Sequence, residues 1–113
     1  MVYDSAVESM ENTNLSQYEL GLEFIKLYEQ AETNKPLRLL TMANFYNLQM
    51  KDYRTAIKYY EQYLKIDETK AVVYTIVASL YAKEYGELSL KDQIYYFEKR
   101  SAIVGIYGEA SAP

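Results

Sequence analysis

The sequence predicts an all-α fold, and three observations lead to that prediction. Hydrophobic residues make up 50% of the 113 residues and charged residues 25%, which is enough apolar material for a folded core. Glycine and proline number only four and two, so few turns are available for a many-stranded sheet. Apolar residues also recur at steps of three and four, as at Ile57, Tyr60 and Leu64, which is the period of an amphipathic helix. At this length we expect one domain spanning residues 1–113.

Six helices are predicted in chain order, near residues 3–11, 16–32, 37–49, 53–66, 70–84 and 90–104. Asn34 and Lys35 end the second helix, and Pro36 begins the third because proline is favoured in a first helical turn. Asp52 can cap the fourth helix with its carboxylate. The polar run 67–70 separates the fourth helix from the fifth, and the segment EYGELSL forms a longer turn before the sixth.

The helices recur as pairs. A shift of 35 residues moves the apolar positions of the second helix onto the fourth: Tyr18, Leu22, Ile25 and Tyr28 fall on Tyr53, Ile57, Tyr60 and Tyr63. The same shift moves the third helix onto the fifth: Leu39, Met42, Ala43 and Tyr46 fall on Tyr74, Val77, Ala78 and Tyr81. A shift of 37 places Leu90, Ile94 and Phe97 on Tyr53, Ile57 and Tyr60. Such a period is typical of a solenoid, in which each helix pair buries its apolar face by stacking on the next.

The chain thereby resembles the tetratricopeptide repeat family. In that pattern the second helix of each pair carries a small residue and, four positions on, a bulky one: Gly21 and Ile25, Ala56 and Tyr60, and Gln93 and Phe97, where Gln93 departs from the pattern. Thr33 and Glu68 stand where the family usually has proline. The resemblance implies a solenoid of about three repeats, covering about 3–33 (degenerate), 36–69 and 70–104, followed by a C-terminal tail at 105–113.

Catalysis and metal binding are not expected. The chain contains no histidine and no cysteine, which removes the usual general base, thiolate nucleophile and nitrogen or sulfur metal ligands. The acidic pairs Glu84 with Glu87 and Asp67 with Glu68 lie at predicted helix ends, where carboxylates are normally solvated or capping. We therefore predict no enzyme, no catalytic residue, no metal site and no cofactor.

Charge and hydropathy limit the partners further. The net charge is −4, and no segment has the concentrated positive charge that a phosphate backbone requires, so nucleic acid is not an expected partner. The longest uncharged run, 71–82, is shorter than the roughly 20 residues that a membrane-spanning helix needs. The absence of cysteine is compatible with a reducing compartment, and the cytoplasm is the expected location.

The family resemblance implies a binding face on the first helix of each pair, which lines the concave side of the solenoid. The residues that this places in the groove are Leu37, Leu40, Asn44, Asn47, Val72, Thr75, Ser79 and Ala82. Their neutral chemistry suits an extended or helical peptide with apolar anchors, so the expected function is a protein-binding adaptor or chaperone-like scaffold. A different reading is that these residues contact another helix of the chain or another subunit.

Two further expectations concern specificity and assembly. Leu40, Val72 and Ile76 occupy positions where chaperone-binding family members have basic residues, so capture of a C-terminal carboxylate is not expected. Solenoids normally end in a polar capping helix, whereas this chain ends in apolar residues that include Ile103 and Ile106. The alternative function is thus a structural module, which is either part of a longer array or a homo-oligomer formed through the C-terminal helix.

Overall fold

A computed structural model describes residues 16–108, and this part of the chain is all-α, with no β-strand. Five α-helices follow one another: α1 Gln17–Ala31, α2 Lys35–Phe45, α3 Tyr53–Ile66, α4 Ala71–Tyr85 and α5 Leu90–Tyr107. A π-helical turn, Tyr46–Met50, extends α2, and a 3-10 turn, Gly86–Ser89, joins α4 to α5. The all-α prediction is confirmed.

The number of separate helices differs from the predicted six. Residues 16–108 form four uninterrupted helical stretches, because the 3-10 turn leaves no non-helical residue between α4 and α5. Gly86 has φ 56° within that turn, a left-handed value that suits a residue without a Cβ and lets the chain reverse direction. The predicted helix at 3–11 lies outside the described residues. The last helix continues to Tyr107, three residues beyond its predicted end.

Polar side chains define where three of the helices begin. Ser16 accepts a hydrogen bond from the backbone N–H of Glu19, and Asn34 accepts one from that of Leu37 at 3.0 Å. The Asp52 carboxylate accepts one from the backbone N–H of Thr55 at 3.2 Å. Each of these bonds satisfies a donor that has no partner within its own helix. The predicted cap at Asp52 is confirmed. The helix predicted to begin at Pro36 begins one residue earlier, at Lys35, because Asn34 caps it and does not end the preceding helix, which stops at Ala31.

Each helix packs mainly against its neighbours in sequence. The connections are short and consecutive helices are in contact. The principal-axis extents are 51 × 32 × 18 Å and the radius of gyration is 16.1 Å. A compact domain of about 100 residues has a radius of gyration near 13 Å, so this molecule is elongated.

The core lies mainly between α2, α3 and α4. Its fully or almost fully buried side chains include Met42, Ala43, Ala56, Tyr60, Val73, Val77, Ala78 and Leu80. By contrast, α1 contributes few buried residues and rests on the end of α2 and the π turn. Phe24 stacks on Phe45 at 5.6 Å between ring centroids, and the Tyr18 hydroxyl donates to Asp52 at 2.8 Å.

Candidate functional site

The eight residues of the predicted groove lie on two helical segments. Leu37 and Leu40 are on α2, Asn44 is at its end, and Asn47 is in the π turn. The other four residues, Val72, Thr75, Ser79 and Ala82, are on α4. Leu37, Ser79 and Ala82 are exposed and the other five are half-buried. A shared concave face formed by these residues stays a prediction.

Asn44 and Asn47 meet at one buried hydroxyl group. The Tyr60 hydroxyl of α3 donates to Oδ1 of Asn44, and Nδ2 of Asn47 lies 3.5 Å from the same Tyr60 oxygen. Burial raises the pKa of Tyr60. The two amides therefore stabilise the contact between α2 and α3, and their capacity to bind a ligand is partly used inside the molecule.

The apolar members of the predicted groove also have an internal role. Leu40 and Val72 are half-buried and pack against the core, so each offers only part of its side chain to a partner. The Thr75 hydroxyl is buried and has no hydrogen-bond partner within residues 16–108. The outer surface left by these residues is neutral, with Leu37 its most prominent apolar side chain.

A carboxylate shared by two tyrosines was not anticipated from the sequence. Oε2 of Glu61 on α3 accepts hydrogen bonds from Tyr81 of α4 at 2.9 Å and from Tyr96 of α5 at 2.5 Å. The rings of Tyr81 and Tyr96 stack at 5.8 Å, and Tyr74 packs beside Tyr96 at 6.3 Å. The Glu61 side chain is half-buried and links three helices.

Basic residues on α3 likewise have mixed roles. Arg54, Lys58 and Lys65 are all exposed. Arg54 forms an ion pair with Glu84 of α4, with 2.7 Å between Nε and Oε1. An exposed pair of this kind contributes about 0–1 kcal/mol to stability. Arg54 is paired with an acid of the neighbouring helix, whereas Lys58 and Lys65 are simply exposed.

Two surface clefts are large enough to accept a side chain or small group. One of about 340 Å³ lies between α1 and the π turn and is lined by Gln17, Tyr18, Leu20, Gly21, Phe24, Phe45, Gln49 and Met50. Another of about 400 Å³ lies between α3 and α5 and is lined by Glu61, Leu64, Lys65, Glu68, Tyr74, Tyr95, Tyr96 and Lys99. Neither lining contains a residue of the predicted groove.

The burial of residues on α5 differs from what the sequence led us to expect. Ile103, which we expected at an exposed end, is only 8% exposed and belongs to the core, whereas Ile106 and Tyr107 are exposed.

Within residues 16–108, no group of three or more acidic side chains is arranged to hold a metal ion. In the same range, no helix has the length and apolar character required to cross a membrane.

Because several tyrosines have a raised pKa, we expect the protein to lose stability at alkaline pH. Burial raises the pKa of Tyr46 and of Tyr63 to about 12, and burial with the Glu61 hydrogen bond raises the pKa of Tyr81 and of Tyr96. An unfolded tyrosine ionises near pH 10, so the contribution is complete below about pH 10 and is lost as the pH rises toward the folded pKa. We expect urea titrations to give a lower free energy of unfolding at about pH 11 than at about pH 8.

The matched variant for this prediction is the double substitution Tyr81→Phe and Tyr96→Phe. It removes two hydroxyl groups with raised pKa and keeps both rings, so the decline between the two pH values should be smaller than in the wild type. An equal decline in both proteins would show that these tyrosines are not responsible.

Comparisons with known proteins give no relative for this chain. No family model, no curated protein and no solved structure matches it.

Proposed function

We propose that this protein is a non-catalytic adaptor that binds a protein or peptide on the face formed by α2 and α4. In this proposal the antiparallel helix pairs are stacked as in a tetratricopeptide-repeat solenoid. The supporting observation is the packing order: each helix packs chiefly on its sequence neighbours, and the molecule is elongated, with extents of 51 × 32 × 18 Å. An array of this shape has a large surface for its size, on which an extended partner can lie.

The chemistry of the proposed face determines the kind of partner. Leu37 is exposed at the start of α2, and Ser79 and Ala82 are exposed on the second half of α4. None of these side chains is charged, so the face favours apolar and neutral polar groups over an acidic peptide. The proposed ligand is accordingly an extended or helical peptide that places one or two apolar side chains near Leu37.

The test uses exposed positions, because Leu40 and Val72 pack against the core and carboxylates there would destabilise the fold. We expect the double variant Leu37→Asp and Ala82→Asp to bind a peptide selected on the wild-type protein at least about tenfold more weakly. The measurement is the dissociation constant, obtained by calorimetry, with circular dichroism to verify that the helix content is unchanged.

The matched control introduces the same two charges elsewhere. Gln30 on α1 and Gln62 on α3 are exposed, and both belong to the second helices of their pairs, so Gln30→Asp with Gln62→Asp should bind the peptide as the wild type does. If the groove variant binds with unchanged affinity, or if both variants lose binding equally, the assignment of the ligand to α2 and α4 is wrong.

A further inference from the structure

The last helix carries an exposed apolar stripe. Leu90, Ile94 and Phe97 of α5 are 53%, 55% and 47% exposed, and their spacing of four and three residues places them on one side of the helix. The same spacing continues through Ser101 to the half-buried Val104. Alternating steps of four and three are the heptad pattern by which one helix packs along another.

The direction of this stripe follows from its neighbours on α5. Tyr96 points inward, since its hydroxyl reaches Glu61 and its ring stacks on Tyr81. Consecutive helical residues are about 100° apart, so Tyr95 and Phe97 lie on opposite flanks of Tyr96. Tyr95 lines the cleft shared with α3. The stripe that contains Phe97 therefore faces away from α3.

The internal repeat indicates that residues in these positions are normally covered. Ile94 and Phe97 correspond to Ile57 and Tyr60 of α3, which are 4% and 0% exposed. The difference arises because α3 packs between α2 and α4, whereas among the described residues α5 packs extensively on α4 alone. The stripe thus has the composition of a helix interface and lacks a second helix within residues 16–108.

The charged residues at one edge of the stripe are complementary to the same residues in a second, antiparallel copy of α5. Lys91 and Glu98 are exposed, lie seven residues apart and each follow a stripe residue directly, so they share one edge of it. When two copies of α5 pair antiparallel about a two-fold axis, like edges face each other, and Lys91 of one copy lies opposite Glu98 of the other, twice per dimer. A parallel pairing would instead set Glu98 opposite Gln93 and leave Lys91 without an acid.

We propose that two copies of this chain associate antiparallel through α5, with Leu90, Ile94 and Phe97 at the centre and reciprocal Lys91–Glu98 pairs at one edge. The two-fold axis then passes close to Ile94, which faces its own counterpart. The proposal does not depend on the binding face on α2 and α4, because the stripe uses none of its residues.

The first test is the mass of the full chain in solution. Sedimentation velocity at about 100 µM should give twice the 13.2 kDa chain mass. An interface of ordinary size is sufficient to hold a dimer together at this concentration. Ile94→Asp should give a monomer, since it places two carboxylates together at the axis. Ile106→Asp is the matched control, because Ile106 is exposed on another side of α5 and its substitution should leave the dimer intact. A monomeric wild type, or a dimeric Ile94→Asp variant, would overturn the proposal.

The second test addresses orientation without altering the apolar contact. Lys91→Glu and Glu98→Lys should each weaken self-association by about tenfold or more, because each sets like charges opposite one another twice. An equimolar mixture of the two single variants should dimerise again, since each chain then presents the charge that the other lacks. If the mixture associates no better than the separate variants, the antiparallel arrangement is wrong.

Discussion

Replacement of Tyr60 by alanine should lower the free energy of unfolding by about 3–5 kcal/mol, the range found when a large buried aromatic residue is truncated. Tyr60 is fully buried and is the largest of the fully buried side chains in residues 16–108. Its ring fills the space between α2 and α3, and its hydroxyl donates to Asn44. The substitution would leave a cavity between α2 and α3 and an amide without its partner.

Two further variants separate these contributions. Tyr60→Phe keeps the ring and removes the hydroxyl, so a loss of about 1–2 kcal/mol is expected from the unpaired Asn44. Tyr107→Ala is the matched control, because Tyr107 is half-exposed at the end of α5 and its truncation should cost much less. All three free energies come from urea unfolding followed by circular dichroism. A loss below about 1 kcal/mol for Tyr60→Ala would contradict the central position assigned to this ring.

Ala56→Leu should destabilise the protein by about 1–3 kcal/mol through overpacking. Ala56 is on α3 and is 0% exposed, in a helix that packs against α2 on one side and α4 on the other. Three additional carbon atoms have no space there unless a helix moves. Calorimetric melting temperatures would register the change as a decrease of several degrees.

Ala102→Leu is the matched control for this substitution. Ala102 also lies within an α-helix, α5, but its side chain is exposed. Because leucine and alanine differ little in helix propensity, the control should melt close to the wild type. Similar destabilisation of both variants would mean that helix propensity, and not the close packing of α3, determines the result.

Local features of the fold were predictable from the sequence because they depend on nearby residues. The helix starts at Lys35 and at Tyr53 depend on Asn34 and Asp52, whose side chains accept hydrogen bonds from backbone N–H groups three positions on, and the cap at Asp52 was predicted. The small residues Ala43 and Ala56 are fully buried, in agreement with the apolar periodicity that placed them on the inner faces of their helices.

Features that depend on a distant partner were not predictable. Glu61 has the pattern of a surface acid, and only the approach of Tyr81 and Tyr96 from other helices brings two hydroxyl groups to it. Ile94 and Phe97 have the same repeat positions as buried residues, yet they are exposed because burial also requires a second neighbouring helix. Glu61 and Tyr96 are 35 residues apart in the sequence, and no motif linked them.

For the proposed solenoid, the carboxylate of Glu61 has a mechanical consequence. One oxygen atom of Glu61 accepts hydrogen bonds from hydroxyl groups of α4 and α5, so a change in the tilt of either helix relative to α3 would strain or break one of these bonds. The two bonds therefore resist rearrangement of the last three helices. Within residues 16–108, no such shared carboxylate is present at α1, which is joined to the rest by the Phe24–Phe45 stack, the Tyr18–Asp52 bond and the buried Ile25.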